Sequence, residues 1–140
     1  LKISNIQDTL GNNNSTTEQI SQGRAKAWIV FDGGSSSIGT GDDSYNVSGV
    51  TDNGTGDYTI AFSTAMSSAN YAVVGMAANT VDSFSNEAGG AIRGTSGIHI
   101  KGTVAPTASA VRVESRYGAS AASNGANADL SLIYVAVFGD

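Results

Sequence analysis

Residues 44–63 have the sequence SYNVSGVTDNGTGDYTIAFS, which carries the clearest fold signal in the chain. In its second half, residues 58–63, large apolar side chains alternate with small or polar ones, the period of a strand with one buried face. The segment DNGTG at 52–56 separates this run from an alternating run before it. Asn and Gly accept the backbone angles of tight hairpin turns, so the stretch predicts an antiparallel β-hairpin.

Strand signals continue on both sides of this hairpin. The last of them, residues 130–138, is apolar at nearly every position and predicts a central strand. Eighteen Gly and one Pro among 140 residues suit short strands joined by turns. We therefore predict an all-β domain over residues 24–140, an antiparallel β-sandwich, jelly-roll-like, of about seven to eight strands. The further predicted strands are 25–31, 44–51, 70–78, 97–104 and 110–117, with long loops at 79–90 and 118–127.

The first 23 residues differ from the rest and predict a tether with one short helix. Ser15 and Glu18 have the spacing of a capping box, which places the helix over residues 16–22. Gly23 is expected to end the helix in a left-handed conformation. Ile20 is the one sizeable apolar residue of this helix, so we expect it to depend on packing against the domain or a neighbouring chain.

Composition and charge exclude several function classes. Seven basic residues against twelve acidic ones give a net charge of -5, which argues against nucleic acid and anionic lipid as partners. No segment has the apolar length of a membrane helix, so we predict no membrane insertion. The chain has no Cys and one His, so we predict no cofactor and no metal site.

Three places could still carry chemistry. The loop 52–57 resembles an acidic calcium loop, but Gly at two of the ligand positions weakens that case, and we expect an ordinary solvated turn. His99 could meet its copies at a symmetry axis, and otherwise lies on the outer side of a half-exposed strand. A polysaccharide-cleaving enzyme would need paired carboxylates. The candidates for that pair are Asp42, Asp43, Asp57 and Glu87, and we expect solvated acidic side chains and no enzyme.

The six Trp and Tyr residues on predicted strands are expected to be mostly core. The long loops offer the exposed candidates for contact with a partner, namely Phe84, Asn86, Glu87, Arg93, Tyr117 and Asn124. Strand 25–31 is apolar on both faces apart from Lys26, which predicts that it is covered on both sides. Lys26, Trp28 and Val30 on its second face are therefore our candidates for a subunit interface.

Several segments resemble a module of bacteriophage virion proteins, especially tail-fibre-like proteins of marine and cyanobacterial phages. These segments are GRAKAW at 23–28, SYNVS at 44–48, TDNGTGDYT at 51–59, FSTAM at 62–66 and NYAVV at 70–74. The lead-in at 6–8 and 11–20 and the ending YVAVFG at 134–139 also look like parts of such proteins.

The resemblance implies a homotrimer on the phage particle, assembled in the host cytoplasm. Its N-terminal segment would join other virion proteins, and its long loops would attach to a host-surface glycan or protein. A start at Leu1 without Met suggests a fragment or a processed chain. The alternatives are a capsid decoration or fibre protein with a structural role, a stand-alone carbohydrate-binding module, and the depolymerase considered above.

Overall fold

The computed structural model describes residues 4–7, 10, 14–78, 94–118 and 126–139. The chain begins with a two-strand ladder between β1 (Asn5–Ile6) and β2 (Ser15–Thr16), followed by α1 (Thr17–Gly23). The remaining strands are β3 (Ala25–Phe31), β4 (Asp43–Tyr45), β5 (Val47–Asp52), β6 (Asp57–Phe62), β7 (Tyr71–Ala78), β8 (Gly94–Ile100), β9 (Ala110–Gly118), β10 (Ala126–Asn127) and β11 (Leu132–Gly139).

The capping box of α1 lies one residue later than the sequence predicted. The Gln19 backbone N–H donates to Thr16 Oγ1 at 3.1 Å, and the Thr16 N–H donates to Gln19 Oε1 at 2.9 Å. Thr16 and Gln19 thus take the places predicted for Ser15 and Glu18, and the predicted pairing is wrong. The predicted left-handed end at Gly23 is also wrong, because Arg24 follows the helix with an extended φ of -88° and leads directly into β3.

Two larger sheets, antiparallel throughout, form the body of the domain. Sheet I has the order β4–β3–β11–β7. In sheet II, β9 pairs with β6 and β10 along one edge and with β8 along the other, and β5 pairs with β6. The predicted all-β class is therefore confirmed, as is the central position of the last strand, between β3 and β7. No helix in the described part of the chain has the length and apolar character needed to cross a membrane.

The predicted strand 44–51 is two strands, one in each sheet. The chain passes from β4 in sheet I to β5 in sheet II at Asn46, which has a left-handed φ of 56°. Its side-chain amide donates to the carbonyls of Lys26 and Thr64 at 3.0 and 3.1 Å, and its Oδ1 accepts from the Thr64 N–H at 2.8 Å. Asn adopts the left-handed backbone more readily than most residues. The change of sheet at Asn46 therefore needs no Gly, and the sequence pattern shows no break at this position.

The inner faces of the two sheets enclose one apolar core. The Phe31 and Tyr58 rings meet edge to face with centroids 5.1 Å apart, and Phe62 and Tyr71 do so at 5.8 Å. The buried apolar residues are Ala27, Ile29, Phe31, Ile38, Val47, Tyr58, Ile60, Phe62, Met66, Ala77, Val111, Val113, Leu130, Ile133, Val135 and Val137. Those on strands come from alternate positions, as the period-two pattern predicted, whereas Ile38, Met66 and Leu130 come from the connecting segments.

Candidate functional site

The predicted contact residues of the long loops lie largely outside the described residues. Phe84, Asn86, Glu87, Arg93 and Asn124 all belong to that group, and Glu87 was also a candidate catalytic carboxylate. Tyr117 is a residue of β9, paired with Ala126 of β10, and its side chain is likewise not described. The described surface of the domain therefore consists of the two outer sheet faces and the shorter loops.

The predicted interface residues all lie on the outer face of sheet I. Ala27, Ile29 and Phe31 point into the core. Side chains alternate along a strand, so Lys26, Trp28 and Val30 point outwards. All three are half-buried. Within a single chain, β3 is thus covered fully on one side only.

Cross-strand register places two rows of side chains on this outer face. The first row runs Tyr45–Trp28–Ala136–Val74, and the second runs Asp43–Val30–Tyr134–Met76. A groove of about 400 Å³ lies along these rows, with Trp28, Val30, Val74, Met76, Tyr134 and Ala136 in its lining. We call this surface the groove face.

The groove face exposes much of its apolar area. Met76 is 73% exposed, Val74 53%, Tyr45 52% and Tyr134 42%. Ala136 stands between the larger Trp28 and Val74 in its row, so its small side chain leaves the floor of the groove low. A cluster of exposed apolar side chains of this kind marks a surface for association.

Tyr45 and Tyr134 correct the expectation that the aromatic residues are mostly core. Both are exposed on the groove face, whereas Tyr58 and Tyr71 are the tyrosines of the core. For Tyr134, the sequence signal is that residues 130–138 are apolar on both faces, because a strand with one face in water is not apolar on both faces. Val74 and Met76 follow from the same reasoning applied to 70–78.

The outer face of sheet II is charged and internally paired. Arg112 donates to both oxygens of Asp57, from Nε at 2.7 Å and from Nη2 at 2.9 Å. Lys101 Nζ lies 3.0 Å from Asp57 Oδ2 and 2.6 Å from Glu114 Oε1, and so bridges the two carboxylates. Arg116 extends the network through a contact with Glu114 Oε2 at 3.7 Å.

These contacts set the protonation of the two buried carboxylates. The two hydrogen bonds from Arg112 lower the pKa of Asp57 against the opposing effect of burial. The hydrogen bond from Lys101 likewise lowers the pKa of Glu114. Both groups are held as carboxylates that accept from fixed cationic donors.

Among the described residues, the carboxylates considered for polysaccharide cleavage, Asp42, Asp43 and Asp57, are not brought together on one strand or one sheet. Asp57 is committed to Arg112 and Lys101, and its lowered pKa is opposite to that of a general acid. Asp42 and Asp43 lie at β4 on sheet I, whereas Asp57 begins β6 on sheet II. The fold therefore assigns them to different sheets.

The loop 52–57 forms a hydrogen-bonded turn. Asp52 Oδ1 accepts from the Gly54 N–H at 2.8 Å, the Asn53 N–H donates to the Asp57 carbonyl at 2.8 Å, and the Asp57 N–H donates to the Gly54 carbonyl at 2.9 Å. Among the described residues, no three of the side chains His, Cys, Asp or Glu form a group suited to a metal. His99 is exposed and lies opposite Glu114 in the ladder between β8 and β9.

A polar cluster fixes one end of the core. The Tyr58 hydroxyl lies 2.8 Å from Asp129 Oδ1 and 3.2 Å from the Gly33 carbonyl, and the same Asp129 oxygen accepts from the Gly56 N–H at 2.6 Å. Burial, followed by the hydrogen bond with Asp129, raises the pKa of Tyr58. These contacts hold together the loops that contain Gly33, Gly56 and Asp129, so we assign the cluster a structural role.

Comparisons with known proteins add no family to this description. No protein-family model matches the chain, and neither the curated proteins nor the solved structures contain a match.

Proposed function

We propose that this chain is a non-enzymatic attachment module of a bacteriophage virion, a tail-fibre-like homotrimer with a jelly-roll-like sandwich. The observation that carries the proposal is the groove face. On this face, exposed apolar side chains from three strands lie beside Trp28 and Val30. Trp28 and Val30 are two of the three residues predicted from the sequence to form a subunit interface. The resemblance of residues 23–74 to phage virion modules supplies the biological setting.

The asymmetry between the two outer faces supports the proposal. Sheet II satisfies its buried charges internally, through Arg112, Lys101 and Arg116, and so suits a solvated surface. Sheet I presents two rows that are apolar except for Asp43 and the hydroxyl groups of Tyr45 and Tyr134, and burial of their apolar area between chains would contribute about 25 cal/mol for each Å² removed from water. An assembly through sheet I leaves the outer face of sheet II exposed to solvent.

In this assembly, attachment depends on multivalency. Three copies on one rigid particle present three copies of each loop, so weak single sites combine into strong binding. The ligand would be a glycan or a protein on the host surface, and residues 1–23 would link the module to other virion proteins. We place the protein on the phage particle surface.

Light scattering after size exclusion tests the assembly. We expect a mass of about 42 kDa, three times the 14.1 kDa of the chain. Met76→Asp, which places a charge at a 73% exposed position, should shift the mass to that of one chain without unfolding it. Thr51→Asp is the matched control, because Thr51 is exposed on sheet II, and this variant should remain trimeric.

Cell binding tests the attachment role. Fluorescently labelled wild-type protein is incubated with a panel of cyanobacterial and marine bacterial strains, beside Met76→Asp and Thr51→Asp. We expect at least one strain to bind the wild type and Thr51→Asp, with binding about a hundredfold weaker for the Met76→Asp monomer. A trimer that binds no strain would favour the capsid decoration role, and a monomer that binds glycans would favour a stand-alone carbohydrate-binding module.

A further inference from the structure

The four strands of sheet I contain two charged residues, one of each sign. They are Lys26 on β3 and Asp43 on β4, and both lie on the groove face. Asp43 is opposite Val30, so the two charges are four positions apart along β3. At about 3.4 Å for each residue along β3, this places them roughly 14 Å apart on the β3–β4 side of the groove face, with Trp28 on β3 between them.

Both charged groups keep capacity for an external partner. Lys26 Nζ donates to Ser21 Oγ of α1 at 3.0 Å, which uses one of its three donors. Asp43 is exposed, and its Oδ1 accepts from the Ser44 N–H at 2.9 Å. Neither side chain has an ion-pair partner among the described residues. In this they differ from Asp57 and Glu114 on the other sheet.

The size of the groove face suits another protein surface. Three strands of seven or eight residues and the three-residue β4, about 4.8 Å apart, span roughly 20 Å by 25 Å at their widest. Such an area is comparable in scale with the roughly 800 Å² that each partner buries in a standard protein interface. An apolar surface that carries one positive and one negative group on its β3–β4 side is complementary to a copy of itself in which Lys26 meets Asp43.

We propose that the groove face is covered by further copies of this chain, in a ring of three in which Lys26 of each chain pairs with Asp43 of the next. The inference rests on the proposed trimer and specifies its contacts. The apolar rows supply the driving force, and the charges set the direction in which each chain meets its neighbour. Each chain offers one Lys26 end and one Asp43 end, so three chains close the ring with every charge paired.

Charge reversal tests this pairing. Lys26→Asp and Asp43→Lys each place like charges at every contact, and each should weaken the trimer at least tenfold in dissociation constant, measured by analytical ultracentrifugation. The double variant Lys26→Asp/Asp43→Lys restores opposite charges and should return to within about threefold of the wild type. Thr51→Lys on sheet II is the control for added charge and should leave the constant unchanged.

An equal mixture of the two single variants distinguishes a ring of three from a twofold pair. One variant carries two negative ends and the other two positive ends, so an odd ring always contains a contact between like charges. The mixture should therefore form no closed trimer, whereas a stable pair of about 28 kDa, twice the chain mass, would overturn the ring and show a twofold interface.

The remaining outcomes separate the inference from the proposed function. The wild type could be a trimer whose dissociation constant changes in neither single charge-reversal variant. This result would overturn the pairing of Lys26 with Asp43 but not the proposed trimer. A wild type that is monomeric at every concentration would overturn both. Circular dichroism of each variant shows that a change in mass does not come from unfolding.

Discussion

Arg112 of β9 and Asp57 of β6 form a bidentate salt bridge between the two paired strands, with Nε 2.7 Å from Oδ1 and Nη2 2.9 Å from Oδ2. Asp57 is buried, whereas the Arg112 side chain is about a quarter exposed. The pair fastens β6 to β9 on the side of sheet II that faces away from the core. Its fixed geometry distinguishes it from a flexible surface ion pair.

The first prediction concerns acid. Asp57 and Glu114 have lowered pKa values in the folded chain, so their stabilising effect is present at neutral pH and is lost as the pH falls below the ordinary values of 3.8 and 4.5. Asp57→Asn should lower the free energy of unfolding at pH 7 by about 1.5–3 kcal/mol, since it breaks hydrogen bonds to a charged group. Its dependence on acid should also be shallower.

Urea unfolding at a fixed chain concentration from pH 7 to pH 3 measures both effects. Asp42→Asn is the matched control, because Asp42 is exposed, and its curve should follow the wild type. Identical acid slopes for Asp57→Asn and the wild type would show that the pair does not contribute to acid sensitivity.

The second prediction concerns two neighbouring glycines. A Cβ at Gly33 would overlap the Tyr58 hydroxyl and come within 2.9 Å of both Ile133 Cδ1 and the Leu130 carbonyl. A Cβ at Gly34 would meet Asp32 Oδ1 at an ordinary 3.4 Å. We expect Gly33→Ala to destabilise the fold by about 3 kcal/mol and Gly34→Ala by less than about 0.5 kcal/mol. Thermal unfolding of the two variants makes the comparison, and equal melting temperatures would contradict the packing around Tyr58.

The third prediction concerns the crossing point between the sheets. Asn46→Gly removes the three side-chain hydrogen bonds but accepts the left-handed backbone, whereas Asn46→Ala removes the bonds and strains the backbone. The left-handed conformation costs a residue with a Cβ about 1–2 kcal/mol, so Asn46→Ala should be less stable than Asn46→Gly by roughly that amount. Denaturant titration of both variants measures the difference. A more stable Asn46→Ala would show that backbone strain does not decide this position.

The fourth prediction concerns alkali. Burial raises the pKa of both Tyr58 and Tyr71 above the ordinary value of 10.0, so the folded chain keeps their protons where the unfolded chain loses them. Stability should therefore fall as the pH rises beyond 10, and the fall should be shallower in Tyr58→Phe and Tyr71→Phe. Unfolding midpoints at increasing pH, with tyrosinate absorbance in parallel, test this. A wild type with constant stability across that range would contradict the raised values.

The sequence alone determined the class of the fold. Alternation along residues 58–62 and 111–113 is a local property of the chain, and the positions it marked as apolar, such as Ile60 and Val113, are core residues. Local signals were less reliable at boundaries. Ser15 and Thr16 are both competent caps and both belong to β2, and the helix begins directly after Thr16, whose side chain caps it.

The candidate site depended on tertiary structure. The sequence showed that Lys26, Trp28 and Val30 share one face of a strand, and this follows from the geometry of any strand. Which side chains stand beside them was decided by the register of β3 with β11 and of β11 with β7, which brings together residues more than a hundred positions apart. Tyr134 and Met76 join Val30 only through that pairing. The backbone of a strand fixes locally which way each side chain points, so the sequence alone determined which residues share a face of one strand. Hydrogen bonds between strands distant in sequence fix which strands lie side by side, so only the tertiary structure decided which residues line the groove.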